Sequence, residues 1–316
     1  MKKLLKKFYL FLGLIVFVWI VKDIDFIKLK EVIFTINYFP YALAAFLWLP
    51  VVLLKTYRWK KIMDNQRIFY SLKDAFLIYG SSSLLGLITP GKIGDFSKIA
   101  HLTKDRHSFG RAFLGSFLER VFDLLFVIIF SAIALFTLHD FPNFNFNYYS
   151  LIKFAAILGL VLSIFVILFY LFKKEIFYNF IFEIIKDLKQ FQLKDTLFVF
   201  FLSIAVWFLY FLLTYLIAIS INLHQHISFF YLSFASAISI LAGFAPITVA
   251  GIGTREAVFI FLLTPLGITK EAVVVFSLLI LVNYLALFAI NFYCWIKKPL
   301  TSPNSSETTC PKKFPA

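Results

Sequence analysis

Apolar residues run along this chain in stretches close to the roughly 20 residues that a helix needs to cross a bilayer. They extend from Val32 to Leu54, Ala112 to Leu138, Leu151 to Phe172, Thr196 to Ile219 and Ala272 to Ile296. Ahead of them, MKKLLKKFYLFLGLIVFVWIVKD has a basic start and an apolar core from Phe8 to Val21, with no small-residue cleavage site after it. It reads as an uncleaved first helix rather than a removed leader. Six ordinary spans result. Two more apolar regions, Ala75 to Leu102 and Phe229 to Leu263, are interrupted, by TPGKIGD at Thr89–Asp95 and by APITVAGIGTRE at Ala245–Glu256. Each is expected to be a broken-helix re-entrant hairpin.

The breaks matter because proline removes a backbone donor and glycine loosens the helix, and lipid cannot satisfy the polar backbone so released. Such a break must face protein or a wet cavity. Two kinked but complete crossings are the competing reading, and basic residues discriminate. If both interrupted regions return to the side they came from, 24 Lys and Arg fall on one face and 5 (Lys22, Lys28, Lys30, Lys153, Lys270) on the other, with Arg120 and Arg255 at membrane depth. The richer set includes Lys55, Arg58, Lys60 and Lys61. That asymmetry predicts both termini on the cytoplasmic side. It also makes the halves, about 8–138 and 151–296, repeats of opposite orientation, an arrangement that places a site near the midplane.

Composition agrees with the pattern. Hydrophobic residues make up 61% of the 316, so the bilayer is the expected solvent and soluble enzyme classes are excluded. A net charge of +14 is accounted for by loops facing anionic lipid, with no nucleic acid partner implied. Two cysteines cannot form a disulfide framework. The 43 Phe read as lipid-facing filler. The expected fold is an all-α polytopic membrane protein: one integral domain over 1–299 and a disordered tail over 300–316. Between the fourth and fifth spans, Glu175–Lys194 has the spacing of an amphipathic interfacial helix.

Charges inside the apolar stretches are the candidate chemistry. Glu119, Arg120 and Asp123 lie in SFLERVFDLLF, where an ionised side chain costs about 2.5–3.5 kcal/mol near a span's middle. Glu119 and Asp123 share a helix face and Arg120 points about 100° away. The trio reads either as a functional site or as a self-compensating cluster tying helices together. Lys92, Asp95 and Lys98 follow the first break, and Arg255 and Glu256 the second. Glycines before a new helix offer free amides and a positive dipole end, a geometry suited to phosphate. Close helix packing explains the same glycines.

TPGKIGDFSKIAHL, FLERVFDLL and APITVAGIGTREAVFIF resemble, in that order, the three signatures of the flippase-like membrane domain of lysylphosphatidylglycerol synthases, approximately PGriGE..R, ERv.Dl and P.p.GGlG.rEa. The resemblance covers nearly the whole chain. It places Pro90, Gly91, Gly94, Asp95, Lys98, Glu119, Arg120, Asp123, Pro246, Gly251, Gly253, Arg255 and Glu256 at family positions. Asp95, Lys98 and Ala250 depart from the usual Glu, Arg and Gly, and Lys lacks the bidentate phosphate fork of Arg. In bifunctional relatives this domain moves aminoacylated lipid while a soluble domain attaches the amino acid. Only about twenty residues follow Ile296 here, so lysyl transfer is not expected.

The resemblance implies a non-enzymatic lipid flippase of the cell membrane, acting on an anionic or aminoacylated phospholipid or a polyprenyl-phosphate-linked lipid. No ATP-binding motif, metal site or cofactor site is expected. Two alternatives stand beside it. One is a polyprenyl-phosphate-dependent glycosyltransferase, for which Asp23-Ile24-Asp25 in the first outer loop is the acidic motif, although the other outer loops are short for a sugar donor. The other is a partner subunit of a separate lipid-modifying enzyme. The histidines, His101, His107, His139, His224 and His226, fall outside the predicted spans and offer no buried triad.

Overall fold

A computed structural model describes residues 24–105, 107–138, 192–243 and 251–299, with residues 18–20 and 22 before them. These residues are helical, with no strand among them. In chain order the helices are α1 Phe26–Phe34, α2 Tyr38–Phe46, α3 Trp48–Asn65 and α4 Leu72–Ile88. A 3₁₀ segment Pro90–Ser97 leads to α5 Lys98–Lys104 and α6 Phe109–Leu138. The second half contributes α7 Leu193–Ser220, α8 Phe229–Gly243, α9 Thr254–Leu263 and α10 Lys270–Lys297.

Side-chain caps set the starts. Asp25 accepts from the amides of Ile27 and Lys28, Asn37 from Phe39, Ser71 from Asp74 and Thr269 from Ala272, each satisfying donors that the first turn leaves open. The Asn37 cap corrects the expected span Val32–Leu54. The helix of α1 ends before Asn37, and the crossing runs instead through α2 and α3 as a 28-residue segment, Tyr38–Asn65. It continues past Leu54 because Lys55 and Arg58 turn inward to polar surroundings, where the sequence reading had placed them in a loop. Two other helices are long and apolar enough to cross a membrane, Leu193–Ser220 and Lys270–Lys297, each within three residues of expectation. Helix α6 spans 30 residues and carries the charged cluster. The predicted spans Phe8–Val21, apart from residues 18–20, and Leu151–Phe172 lie outside the described residues, as do the tail and nearly all of Glu175–Lys194.

Small residues let the central helices approach. A Cβ on Gly80 of α4 would lie 2.5 Å from Cys294 Sγ on α10, and one on Gly115 of α6 would lie 1.5 Å from Met63 Cε on α3. Across these seams run polar ties: Asn291 Nδ2 donates to Ser83 Oγ at 3.0 Å, Tyr41 to the carbonyl of Leu279 at 3.1 Å, and Tyr231 to the carbonyl of Leu262 at 2.6 Å. Such bonds hold helices together where lipid offers no hydrophobic drive. The outside remains apolar, with Phe201, Phe208, Phe261, Leu285 and Phe292 all exposed. A surface of that kind on a monomer belongs against lipid.

Candidate functional site

Both interrupted regions are broken where the sequence placed the breaks. After α4, Gly91 and Lys92 adopt left-handed conformations, φ +60° and +56°, and kink the 3₁₀ segment within its first turn. For a lysine this conformation is costly, and such strain gathers at sites that use it. In the second region the described part of α8 reaches Gly243 and α9 begins at Thr254, with Gly251 and Gly253 ahead of it at φ +77° and +86°. Residues 244–250, Pro246 and Ala250 among them, lie outside the described residues.

At each break one of the glycine amides expected to be free is taken by a side chain. Gly94 N–H donates to Thr89 Oγ1 at 2.8 Å, and Thr89 in turn donates to the carbonyl of Leu85 at 2.7 Å. Gly253 N–H donates to Glu256 Oε2 at 2.6 Å. A polar side chain three to five residues away takes each of these two amides, and the charged side chains lining the site are the stronger candidates for anion binding. The glycines serve packing as well as conformation. A Cβ on Gly86 would sit 2.0 Å from Asp95 Oδ1, and one on Gly94 would sit 2.3 Å from the Leu85 carbonyl.

Charges on α6 are answered from three other elements. Glu119 and Asp123, one turn apart, face α3, and Arg58 enters between them, its Nη1 2.8 Å from Asp123 and its Nη2 3.3 Å from Glu119. Nη1 also donates to Ser203 of α7 at 2.9 Å. Tyr79 of α4 donates to Glu119 at 2.7 Å, Lys98 of α5 pairs with the other Glu119 oxygen, and Trp207 Nε1 reaches Asp123 at 3.2 Å. Arg120, on the neighbouring face, pairs with Asp95 of the first break and lies 3.7 Å from Asp123. The trio is thus not self-contained: its partners are Arg58, Lys98 and Asp95. Of these, Lys98 and Asp95 were expected site residues. Arg58 was missed because its place in a basic run masked its position three residues after Lys55 on an inward face. The signal was the cluster's own need for a buried cation.

The second break repeats the theme on a smaller scale. Arg255 Nε donates to Ser277 of α10 at 2.9 Å, Ser277 donates to Glu256 Oε1 at 2.7 Å, and Arg255 Nη2 lies 3.5 Å from the same oxygen. The guanidinium sits over the ring of Tyr284, 5.7 Å from its centroid.

One cavity joins the two breaks. Gly86, Thr89, Gly91, Lys92 and Asp95 line it from the first, and Gly243, Gly251 and Arg255 from the second. Its atom-free space, the open mouth included, is about 1060 Å³. Arg120 and Lys55 add charge, and Trp48, Trp207, Tyr210 and Tyr284 form an aromatic wall. That wall was not anticipated, since the aromatic excess had been assigned to lipid contact. Among the expected residues, Lys92, Asp95, Arg120 and Arg255 reach the cavity directly. Glu119, Asp123, Lys98 and Glu256 do not line it; Asp123 lies 3.7 Å from Arg120 and Glu256 3.5 Å from Arg255. Asp25 of the Asp23-Ile24-Asp25 motif is occupied in capping α1, and Asp23 lies outside the described residues. His101, outside the long apolar helices, is nonetheless buried, on α5 with its ring 3.3 Å from Ser81 Oγ.

A helical membrane protein with two broken helices meeting at one cationic, aromatic-walled cavity is the class these features define. The chain matches the lysylphosphatidylglycerol synthase TM region family over residues 8–290, and it belongs to that family. No curated protein and no solved structure matches it.

Proposed function

We propose that this protein is a lipid translocase, carrying a phospholipid or a polyprenyl-phosphate-linked lipid between leaflets through the cavity at the two breaks. The observation that carries the reading is the meeting of both discontinuous segments at one charged cavity. Broken helices facing a shared site are how transporters expose that site to either side by rocking one half against the other. Family membership supports a lipid-related role.

On this reading the halves, about 8–138 and 151–296, are inverted repeats within a single membrane domain. The chain resides in the cell membrane with both termini cytoplasmic. It is a transporter, not an enzyme, driven by a gradient, the membrane potential or consumption of the product. A partner enzyme that modifies the lipid fits beside it. Acyl chains would stay in lipid while the headgroup crosses the cavity past Arg120 and Arg255.

The test is reconstitution of purified protein in liposomes carrying fluorescent phospholipids or a polyprenyl phosphate. Dithionite-sensitive exposure is measured for wild type, Arg120→Ala and Arg255→Ala. Selective movement that both substitutions reduce is the expected result. Unchanged movement in both variants, or none of any lipid in wild type, sinks the reading.

A further inference from the structure

We infer that the cavity takes a phosphomonoester headgroup, held by Lys55 and Arg255, and disfavours a cationic aminoacyl headgroup. The inference deepens the translocase reading and rests on it for the lipid's route to the site. Among the described residues the wall presents Lys55, Lys92, Arg120 and Arg255 against one carboxylate, Asp95, and Asp95 is already paired with Arg120.

The nearby carboxylates that could soften this bias are committed elsewhere. Glu119 is shared by Arg58, Lys98 and Tyr79, Asp123 by Arg58 and Trp207, and Glu256 by the Gly253 amide and Ser277. Lys55 makes no hydrogen bond or ion pair among the described residues, and the acid whose charge it feels is Asp123, itself paired with Arg58. Its ammonium offers three donors on a flexible stem. Arg255 spends Nε on Ser277 and turns Nη2 toward Glu256, which leaves Nη1 for a guest.

Two cations with donors to spare suit a phosphomonoester, which carries a charge of about −1.5 to −2 and three acceptor oxygens. An ammonium guest would find like charges. Two of the rings lining the cavity are already taken: Arg255 lies over Tyr284, and Lys98 lies over Tyr79 at 4.8 Å. These rings already serve the protein's own cations.

Native mass spectrometry of the detergent-solubilised full chain counts bound lipid directly. The probes are phosphatidic acid, lysyl-phosphatidylglycerol, phosphatidylcholine and inorganic phosphate. Phosphatidic acid is expected to bind about tenfold or more tightly than the lysylated lipid. Lys55→Gln should weaken its binding about tenfold and leave phosphatidylcholine unaffected. Because Lys55 makes no hydrogen bond or ion pair among the described residues and Asp123 keeps Arg58 and Trp207, the variant is expected to fold, and Lys55→Arg should retain binding.

Equal binding of lysylated lipid and phosphatidic acid, or unchanged phosphatidic acid affinity in Lys55→Gln, overturns the inference. Competition by inorganic phosphate at equal concentration keeps the phosphate chemistry, assigns it to a soluble ligand and defeats the translocase reading instead. Phosphatidic acid that binds selectively but does not cross liposomes has the same meaning. Movement of the lysylated lipid with no preference for phosphatidic acid leaves the translocase standing and ends this inference.

Discussion

Replacing Arg58 by methionine should reveal how much of the fold hangs on one buried guanidinium. Arg58 is fully buried, and its loss removes a 2.8 Å pair to Asp123, a 3.3 Å pair to Glu119 and a 2.9 Å bond to Ser203. Removing one partner of a buried pair costs about 3–5 kcal/mol, because the other charge stays behind without compensation. Here the low end applies. Glu119 keeps Lys98 and Tyr79, and Asp123 keeps Trp207 and a 3.7 Å approach to Arg120. A loss of about 3 kcal/mol, near 150-fold in the folding equilibrium, is therefore expected for Arg58→Met in detergent-based unfolding. Neutralising the abandoned acid should recover much of it, since methionine and asparagine leave no unpaired charge at Asp123. The assay compares Arg58→Met, Asp123→Asn and the double variant as a cycle. If Arg58→Met unfolds like wild type, or the double variant costs the sum of the singles, the argument that Arg58 holds α6 against α3 fails.

Other expectations follow from the same geometry. Gly94→Ala drives a Cβ into the Leu85 carbonyl, which cannot rotate away, so it should destabilise by more than about 2 kcal/mol in the same unfolding assay. Gly86→Ala meets the Asp95 carboxylate first; it should prise Asp95 from Arg120 and slow lipid movement in vesicles while leaving most of the stability. Glu256→Ala strips the cap from Gly253 and the acceptor from Ser277, costing about 1–2 kcal/mol and loosening Arg255, which activity and thermal unfolding would register together. Lys55→Gln, by contrast, should move the unfolding midpoint far less than Arg58→Met, because Lys55 makes no hydrogen bond or ion pair among the described residues and Asp123 keeps Arg58 and Trp207.

Much of this architecture could be read from the residues, and the omissions have physical causes. Period and length located α6, α7 and α10, because a lipid-facing helix must be apolar along its whole length. The breaks at Pro90–Gly94 and Gly251–Gly253 were visible because positive φ at tight turns favours glycine, although Lys92 shares the first turn without that advantage. Arg58 and Lys55 were misplaced because a run of basic residues looks the same whether it is solvated or turned inward. Their inward direction depends on α6, more than fifty residues away, which local pattern does not contain. The capping of Gly94 by Thr89 and of Gly253 by Glu256 was within reach of the sequence, since TPGKIG and GTRE hold cap and glycine a few residues apart. The aromatic wall was not, because Trp48, Tyr210 and Tyr284 come from three helices and differ from lipid-facing aromatics only in which way they point.

The central claim is that a single cavity, shared by the two breaks, carries the lipid. In a Cys294→Ala, Cys310→Ala background, cysteines at Ser83 and Ser239 place one alkylation site on each side of that cavity, and a cysteine at the exposed Phe201 serves as the control. Lipid movement is measured in vesicles before and after modification with a bulky maleimide. The account predicts that alkylation at either Ser83→Cys or Ser239→Cys stops movement while Phe201→Cys continues. Wild-type movement with the cavity blocked from both sides would contradict it.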